Sequence, residues 1–271
     1  MLLYRPDPDA LGREARATTR EHGRTFAAAC RLLPGSARDD VYRLYLVFRV
    51  LDDLVDEEDP RAGAALAAVE RWCRGDAATT REAAVLEELS RRYPLPRHAL
   101  RDFCLGMRHD MEAGRFATED ELDLYCYRVA GTVGLVMTTV LGTRSPEAER
   151  HAAALGMAMQ RTNILRDIDE DLAAGRLYLA EETVSRFGWP QPGNREELLR
   201  DQIARADHLY EEGVAGIPML RRGRLAIRAA ASMYREILRQ IERDGYGARA
   251  GRAVVPRSRK LVAVMRSGTM A

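Results

Sequence analysis

Tyr45-Leu-Val-Phe-Arg-Val-Leu-Asp-Asp-Leu-Val-Asp56 sets Asp52 and Asp56 four residues apart, and Asn163-Ile-Leu-Arg-Asp-Ile-Asp-Glu-Asp171 repeats the spacing with Asp167 and Asp171. Apolar residues recur around the first pair at helical spacing, among them Leu44, Val47, Val50, Leu51, Leu54 and Val55. Residues i and i+4 of an α-helix share a face, with Cβ atoms roughly 5–6 Å apart. Each pair therefore aims two carboxylates at one region of space. Hard divalent cations such as Mg²⁺ take oxygen ligands and are held by a few carboxylates together with substrate phosphates. Two opposed carboxylate faces thus predict an enzyme that acts on a diphosphate.

Working outward, the same helical spacing covers the chain, with Ala, Leu, Arg and Glu abundant and few alternating β-branched runs, which predicts an all-α fold. Start signals that join a capping side chain to an acidic first turn occur at Ser36-Ala-Arg-Asp39, Thr118-Glu-Asp-Glu121, Ser145-Pro146-Glu147 and Asn194-Arg-Glu-Glu197. Breaks fall at Leu33-Pro-Gly35, Tyr93-Pro-Leu-Pro96, Gly142 to Pro146 and Trp189-Pro-Gln-Pro-Gly193. The two aspartate helices are drawn from Val41 to Asp56 and from Pro146 to Asp171. No low-complexity linker interrupts them, so one helical domain over residues 1–271 is expected.

Composition narrows the function. The 42 basic and 41 acidic residues leave a formal charge of +1, which argues against a nucleic-acid protein that relies on a strong positive field. Four cysteines, Cys30, Cys73, Cys104 and Cys126, form no C-x-x-C pattern, and no secretory signal is read, so reduced thiols and a cytoplasmic location are expected, without zinc. No run reaches the ~18–20 apolar residues that span a bilayer, so a soluble protein is expected.

On the first acidic face, Arg49 and Tyr45 lie one and two turns behind the aspartates, and Asp53 is rotated away. On the second, Gln160, Asn163, Asp167 and Asp171 form a stripe of oxygen donors, ~12 Å long from Asn163 to Asp171 at 1.5 Å per residue. Arg166 and Arg176 suit phosphate oxygens. Asp169 and Glu170 read as a solvated acidic turn. Between the two faces, Tyr125-Cys-Tyr-Arg-Val-Ala-Gly-Thr-Val-Gly-Leu-Val-Met137 carries two glycines in an apolar helical pattern. They signal either close helix packing or a groove for a long hydrocarbon.

With these motifs in order the chain resembles the squalene/phytoene synthase family over nearly its whole length. The resemblance rests on His22-Gly-Arg-Thr-Phe26 before Leu33-Pro34, Tyr45 to Asp56, Gly106-Met-Arg-His-Asp110, Tyr125 to Gly134, Gln160 to Asp171 with Gly175-Arg-Leu-Tyr-Leu179, and Tyr234-Arg-Glu-Ile-Leu238. It implies a single isoprenoid-synthase-type helical bundle with a central cavity, and a head-to-head coupling of two prenyl diphosphates through a cyclopropylcarbinyl diphosphate. It implies Mg²⁺, with Mn²⁺ as the alternative, on Asp52, Asp56, Asn163, Asp167 and Asp171. It further implies substrate contacts from His22, Thr25, Phe26, Tyr45, Arg49, Gln160, Arg166, Arg176, Tyr178 and Tyr234, and a catalytic part for Tyr125 beside the four aspartates.

The wording of Gly106 to Glu112, Gly175 to Leu179 and the basic tail with Arg252, Arg257 and Lys260 looks closest to bacterial phytoene synthases. Two geranylgeranyl diphosphates are then the expected substrates, with no reductant. The alternatives are farnesyl diphosphate coupling, which needs NADPH if the product is squalene, and a non-catalytic membrane-associated relative. Two departures from the family pattern stand out: the flap Gly23-Arg24-Thr25-Phe26 keeps one hydroxyl where two serines are common, and Ala180 follows Leu179 where proline is usual. Peripheral membrane contact is expected from the insolubility of the product. The histidines other than His22 read as surface or packing residues, and the oligomeric state is not legible.

Overall fold

The computed structural model describes residues 7–112 and 114–268. Its helices are α1 (Pro8–His22), α2 (Arg24–Cys30), α3 (Gly35–Asp56), α4 (Ala62–Arg74), α5 (Arg81–Ser90), α6 (Arg97–Met111), α7 (Glu119–Cys126), α8 (Thr132–Leu141), α9 (Ala148–Ala173), α10 (Glu181–Phe187), α11 (Glu196–Ala215), α12 (Arg224–Arg243) and α13 (Arg257–Gly268). A π-helical turn over Tyr127–Gly131 joins α7 to α8, and a 3-10 turn covers Ile217–Met219. Among the described residues there is no strand, only an isolated bridge between Thr143 and Leu220. The fold is all α, as the spacing predicts.

Three of the four Pro/Gly breaks lie between helices, and the fourth, Leu33-Pro-Gly35, ends on the first residue of α3. Of the four start signals, only Thr118 caps its helix: its Oγ1 accepts from Glu121 N at 3.3 Å, and the Glu121 carboxylate accepts from Ala117 N at 2.7 Å. The others shift. Helix α3 begins at Gly35 directly behind Pro34, ahead of Ser36. Helix α9 begins at Ala148, after a turn in which Ser145 Oγ accepts from Glu147 N at 3.3 Å. Helix α11 begins at Glu196 behind Arg195, with no side-chain cap. At these three points a proline or the preceding turn, rather than the capping side chain, sets the first helical residue.

Helix α9 lies at the centre, packed against α8, α11, α12 and the π-turn, while α3 packs against α1, α5, α6 and α8. The two acidic helices are thus both core elements. Buried side chains from Leu11 to Val255 join in one apolar cluster. Where α9 crosses the π-turn and α8 the backbones touch. A Cβ on Gly134 would lie 2.3 Å from Ala152 O, and one on Gly156 only 2.2 Å from Ala130 O. A Cβ on Gly131 would meet Tyr127 at 2.9 Å and Ala153 O at 3.3 Å. The two glycines in the apolar run therefore serve close helix packing, and the hydrocarbon-groove reading of them is corrected.

A second correction concerns length. Glu119–Leu141 runs as one helical rod of 23 residues, long and apolar enough by composition to cross a bilayer, although no such stretch was expected. The sequence reading counted unbroken apolar runs, whereas this rod includes Glu119 to Asp123 and several threonines. It is a core helix here: Leu122, Tyr125, Cys126, Leu135, Val136, Val140 and Leu141 are buried, with α6 and α9 against it.

Candidate active site

The first acidic face is the last turn and a half of α3. Arg49 Nη1 donates to Asp52 Oδ2 at 2.9 Å, and its Nη2 pairs with Asp53. Asp53 therefore belongs to the Arg49 clamp and is not simply turned away. Burial first, and then the neighbouring Asp56 carboxylate, push Asp52 up to about 7. Its side chain keeps 39% of its surface open, so this is a recessed carboxylate that solvent and ligands still reach. Two turns back, Tyr45 stacks on Phe26 with ring centroids 5.3 Å apart, and burial raises its hydroxyl to about 12. The flap expected at His22 to Phe26 is a helix–glycine–helix joint between α1 and α2. A Cβ on Gly23 would come within 2.8 Å of Tyr45 Oη, so only glycine lets the joint lie on that ring. His22 is 41% exposed, with Glu21 at 3.9 Å as its charged neighbour.

The second face lies along α9 and the loop behind it. Asn163 Nδ2 donates to Gln160 Oε1 at 3.4 Å, while Asn163 Oδ1 is buried without a hydrogen-bond partner among the described residues. Arg166 grips Asp167 bidentately, Nε to Oδ1 at 2.8 Å and Nη2 to Oδ2 at 2.6 Å. Arg166 is also hydrogen-bonded with Tyr234. Burial and then the Asp167 charge raise Asp171 to about 6. Asp169 departs from expectation: Arg195, itself buried, holds it through bonds of 2.6 and 2.7 Å, and Gly251 N donates to it at 2.7 Å. It is an anchor for the segment after α12, not a solvated turn. That anchor brings Arg252 Nε to within 2.9 Å of Asp167 Oδ1.

The two faces meet. Arg176, just beyond α9, donates Nη1 to Asp56 Oδ1 at 3.2 Å across 120 residues of sequence. Asp56 in turn is among the charges that raise Asp52 and Asp171. Between them stands Asp110 from the end of α6, which accepts from Tyr125 Oη at 2.9 and 3.1 Å and from Tyr178 Oη at 3.2 Å. The two tyrosine rings stack at 5.7 Å, with Phe116 at 5.0 Å from Tyr125. Burial raises Asp110 to about 6 against the pull of these hydrogen bonds, and burial also keeps Tyr125 protonated well past the usual phenol range. On the flap side, Lys260 Nζ donates to Thr25 Oγ1 at 3.0 Å, and burial together with the Arg166 charge lowers its pKa.

Asp110 and Arg252 are site residues that the sequence reading did not assign. Asp110 left a signal: it continues the buried stripe Phe103, Cys104, Gly106 and Met107 at helical spacing, where an acid is out of place. Arg252 left none beyond its place in a basic tail.

The donor set fits a hard divalent cation. Among the described residues no three His, Cys, Asp or Glu side chains close on one point as a finished metal centre. What is present among the described residues is a buried amide oxygen without a protein partner, Asp52 and Asp171 raised by burial and by neighbouring carboxylates, and arginines holding Asp52, Asp56 and Asp167. A hard divalent cation accompanied by a phosphate would suit this set, the carboxylates serving the metal and the arginines the anion.

Comparison with known proteins shows the family. The family described as squalene/phytoene synthase matches residues 19–259. A phytoene synthase of Thermus thermophilus is 39% identical over 253 residues, covering 89% of this chain and 85% of its own. A 15-cis-phytoene synthase of Synechocystis is 35% identical over 276 residues, covering 91% and 81%. A crystal structure of a dehydrosqualene synthase superposes with a TM-score of 0.88 at 27% identity, over 97% of this chain and 99% of that one. The squalene synthase of Alicyclobacillus acidocaldarius gives 0.77 at 26% identity, over 89% and 96%. The chain thus belongs to the squalene/phytoene synthase family of prenyltransferases, whose substrates are prenyl diphosphates.

Proposed function

We propose that the protein couples two molecules of geranylgeranyl diphosphate head to head, by way of a cyclopropylcarbinyl diphosphate, to give phytoene. The observation that carries this reading is the meeting of two four-spaced aspartate pairs, bridged by Arg176 and Asp56, on helices at the core of the bundle. The relatives named phytoene synthase support the longer substrate. The likeness to a dehydrosqualene synthase favours the second reading, farnesyl diphosphate coupling.

Mg²⁺, or Mn²⁺ in its place, would be held by Asp52, Asp56, Asn163, Asp167 and Asp171, and when bound it neutralises the departing diphosphate as a Lewis acid. The chain's own residues do the rest. Arg49, Arg166 and Arg176, freed from their carboxylates, clamp diphosphate oxygens. Tyr45 and Tyr234 line the same anion seat, with Gln160 beside them. The Phe26–Tyr45 stack and the Phe116–Tyr125–Tyr178 cluster keep water from an allylic cation. The double bond of the second prenyl chain attacks that cation and loss of a proton closes the cyclopropane ring, after which departure of the remaining diphosphate, rearrangement and loss of a second proton give phytoene. Tyr125 Oη accepts the first proton as its own passes to Asp110, an acceptor because it is ionised above about pH 6. Val133, Met137, Met157 and Met159 pack partly buried against the core and would shift to accept the hydrocarbon chains, methionine being the side chain that adapts most readily.

The whole chain acts as one catalytic domain, and its free, buried cysteines suit a reducing cytoplasm. Peripheral contact with a membrane serves the insoluble product. The test is incubation of purified protein with Mg²⁺ and either geranylgeranyl or farnesyl diphosphate, without nicotinamide, followed by mass spectrometry of the extracted hydrocarbons. A phytoene-mass product from the longer substrate, absent with Asp52→Ala, is expected. Product from farnesyl diphosphate alone, or only after NADPH is added, would replace this reading with the second.

A further inference from the structure

The outer side of α13 takes no part in the site. Leu261 and Met265, one turn apart, are 61% and 56% exposed. The opposite side holds the helix down: Val264 packs on Ala29, Ala229, Ala230 and Met233, and Lys260 is bonded to Thr25. Two more apolar side chains are exposed where the neighbouring helices meet, Leu32 after α2 and Leu225 at the start of α12. The two segments touch there, because the Leu33 side chain lies over Gly223.

The charge follows the same pattern. From Gly245 to the last residue there are six Arg and Lys and no Asp or Glu, in a chain whose total is +1. Arg31, Arg222 and Arg259 are exposed and lie within three residues of Leu32, Leu225 and Leu261 in sequence. An amphipathic helix with an apolar outer face and acid-free basic flanks is complementary to an anionic bilayer, where apolar side chains enter the headgroup boundary and cations meet lipid phosphates.

We propose that α13, with the end of α2 and the start of α12, docks the protein on an anionic lipid surface. This deepens the membrane contact proposed above and does not depend on the coupling reaction. It also seats the bilayer beside the flap, since Lys260 ties α13 to the helix that lays Phe26 over Tyr45.

The experiment is flotation of the full chain with vesicles of phosphatidylcholine alone and of phosphatidylcholine mixed with phosphatidylglycerol. Binding to the mixed vesicles at least roughly tenfold tighter, and released by salt, is expected. The double variant Leu261→Glu/Met265→Glu should lose at least roughly tenfold in affinity with its melting temperature unchanged, and Arg259→Glu should lose less. Equal flotation of the double variant, equal binding to neutral vesicles, or a wild-type dimer that the double variant turns into a monomer would each overturn the proposal, the last by making a second copy the occupant. Flotation without any turnover of prenyl diphosphate would overturn the reaction reading alone.

Discussion

Helix α9 carries two clusters of charge that could hardly differ more. On one side Arg161, 2% exposed, donates to Glu119 at 2.7 Å, to Asp123 at 2.8 Å and to Gln202 at 2.9 Å. Gln202 returns a bond to Glu119 at 2.8 Å, and Thr183 adds another. Burial opposes ionisation of Glu119, yet the bonds from Thr183, Arg161 and Gln202 outweigh it and hold the carboxyl below its usual range. On the other side Asp171, with Asp52 opposite on α3, is pushed upward by burial and by like charges, and Asn163 Oδ1 has no hydrogen-bond partner among the described residues. The first cluster is complete in itself and ties α7, α9, α10 and α11 together. The second sets carboxylates raised by like-charged neighbours beside a buried amide oxygen, the donor types a hard cation takes. Burial alone does not distinguish a structural charge from a functional one; satisfaction does.

The largest effect that should separate the two is on turnover. Asp167→Ala removes a member of the second cluster, and kcat for prenyl coupling is expected to fall by roughly 10³-fold or more, about 4 kcal/mol of transition-state stabilisation, while the melting temperature of metal-free protein hardly changes. Next comes Arg161→Ala, which strands Glu119 in the core and should cost about 3–5 kcal/mol of folding stability, read by denaturant unfolding. If that variant melts like the wild type, the buried cluster is not the structural tie argued here. Gly156→Ala should cost about 1–3 kcal/mol by pressing a Cβ onto the Ala130 carbonyl.

The smallest effect is in pH dependence. Asp52 and Asp171 have folded-state values of about 7 and about 6, above the usual carboxylate range. Between about pH 4 and pH 7 the folded protein therefore holds more protons than the unfolded chain, and metal-free stability should fall as pH rises through that window. Asp52→Asn should flatten this slope and raise stability at pH 8 by up to about 1 kcal/mol, its partial exposure keeping the gain small. Melting curves in chelator from pH 5 to pH 8 check both.

The same contrast explains what could be read in the sequence. Asp52, Asp56, Asp167 and Asp171 were legible because each pair is local, fixed by helical spacing, and Arg49 and Asn163 followed from the same faces. Arg176 was assigned to phosphate, but its bridge to Asp56 spans 120 residues and had no local sign. Arg161 was missed because an arginine in a charged helix usually faces water, and only packing by α7 and α11 buries it. Asp169 was misread for the same reason, since Arg195 and Gly251 reach it from distant segments. The helix breaks at Pro34, Pro94 and Gly142 were visible because those residues act on their own backbone, whereas three of four helix starts moved once turns from outside the helix competed with the cap.

The central claim is that the acidic faces bind a divalent cation with a diphosphate, while the buried cluster is satisfied by the protein's own side chains. Thermal melting with Mg²⁺ and inorganic diphosphate tests it most directly. Saturation at about 100 times Kd adds ~2.7 kcal/mol to the folded state, so the wild type should rise by roughly 5–10 °C and Asp167→Asn by far less. A rise of the same size in both proteins, or none in the wild type, would contradict the account.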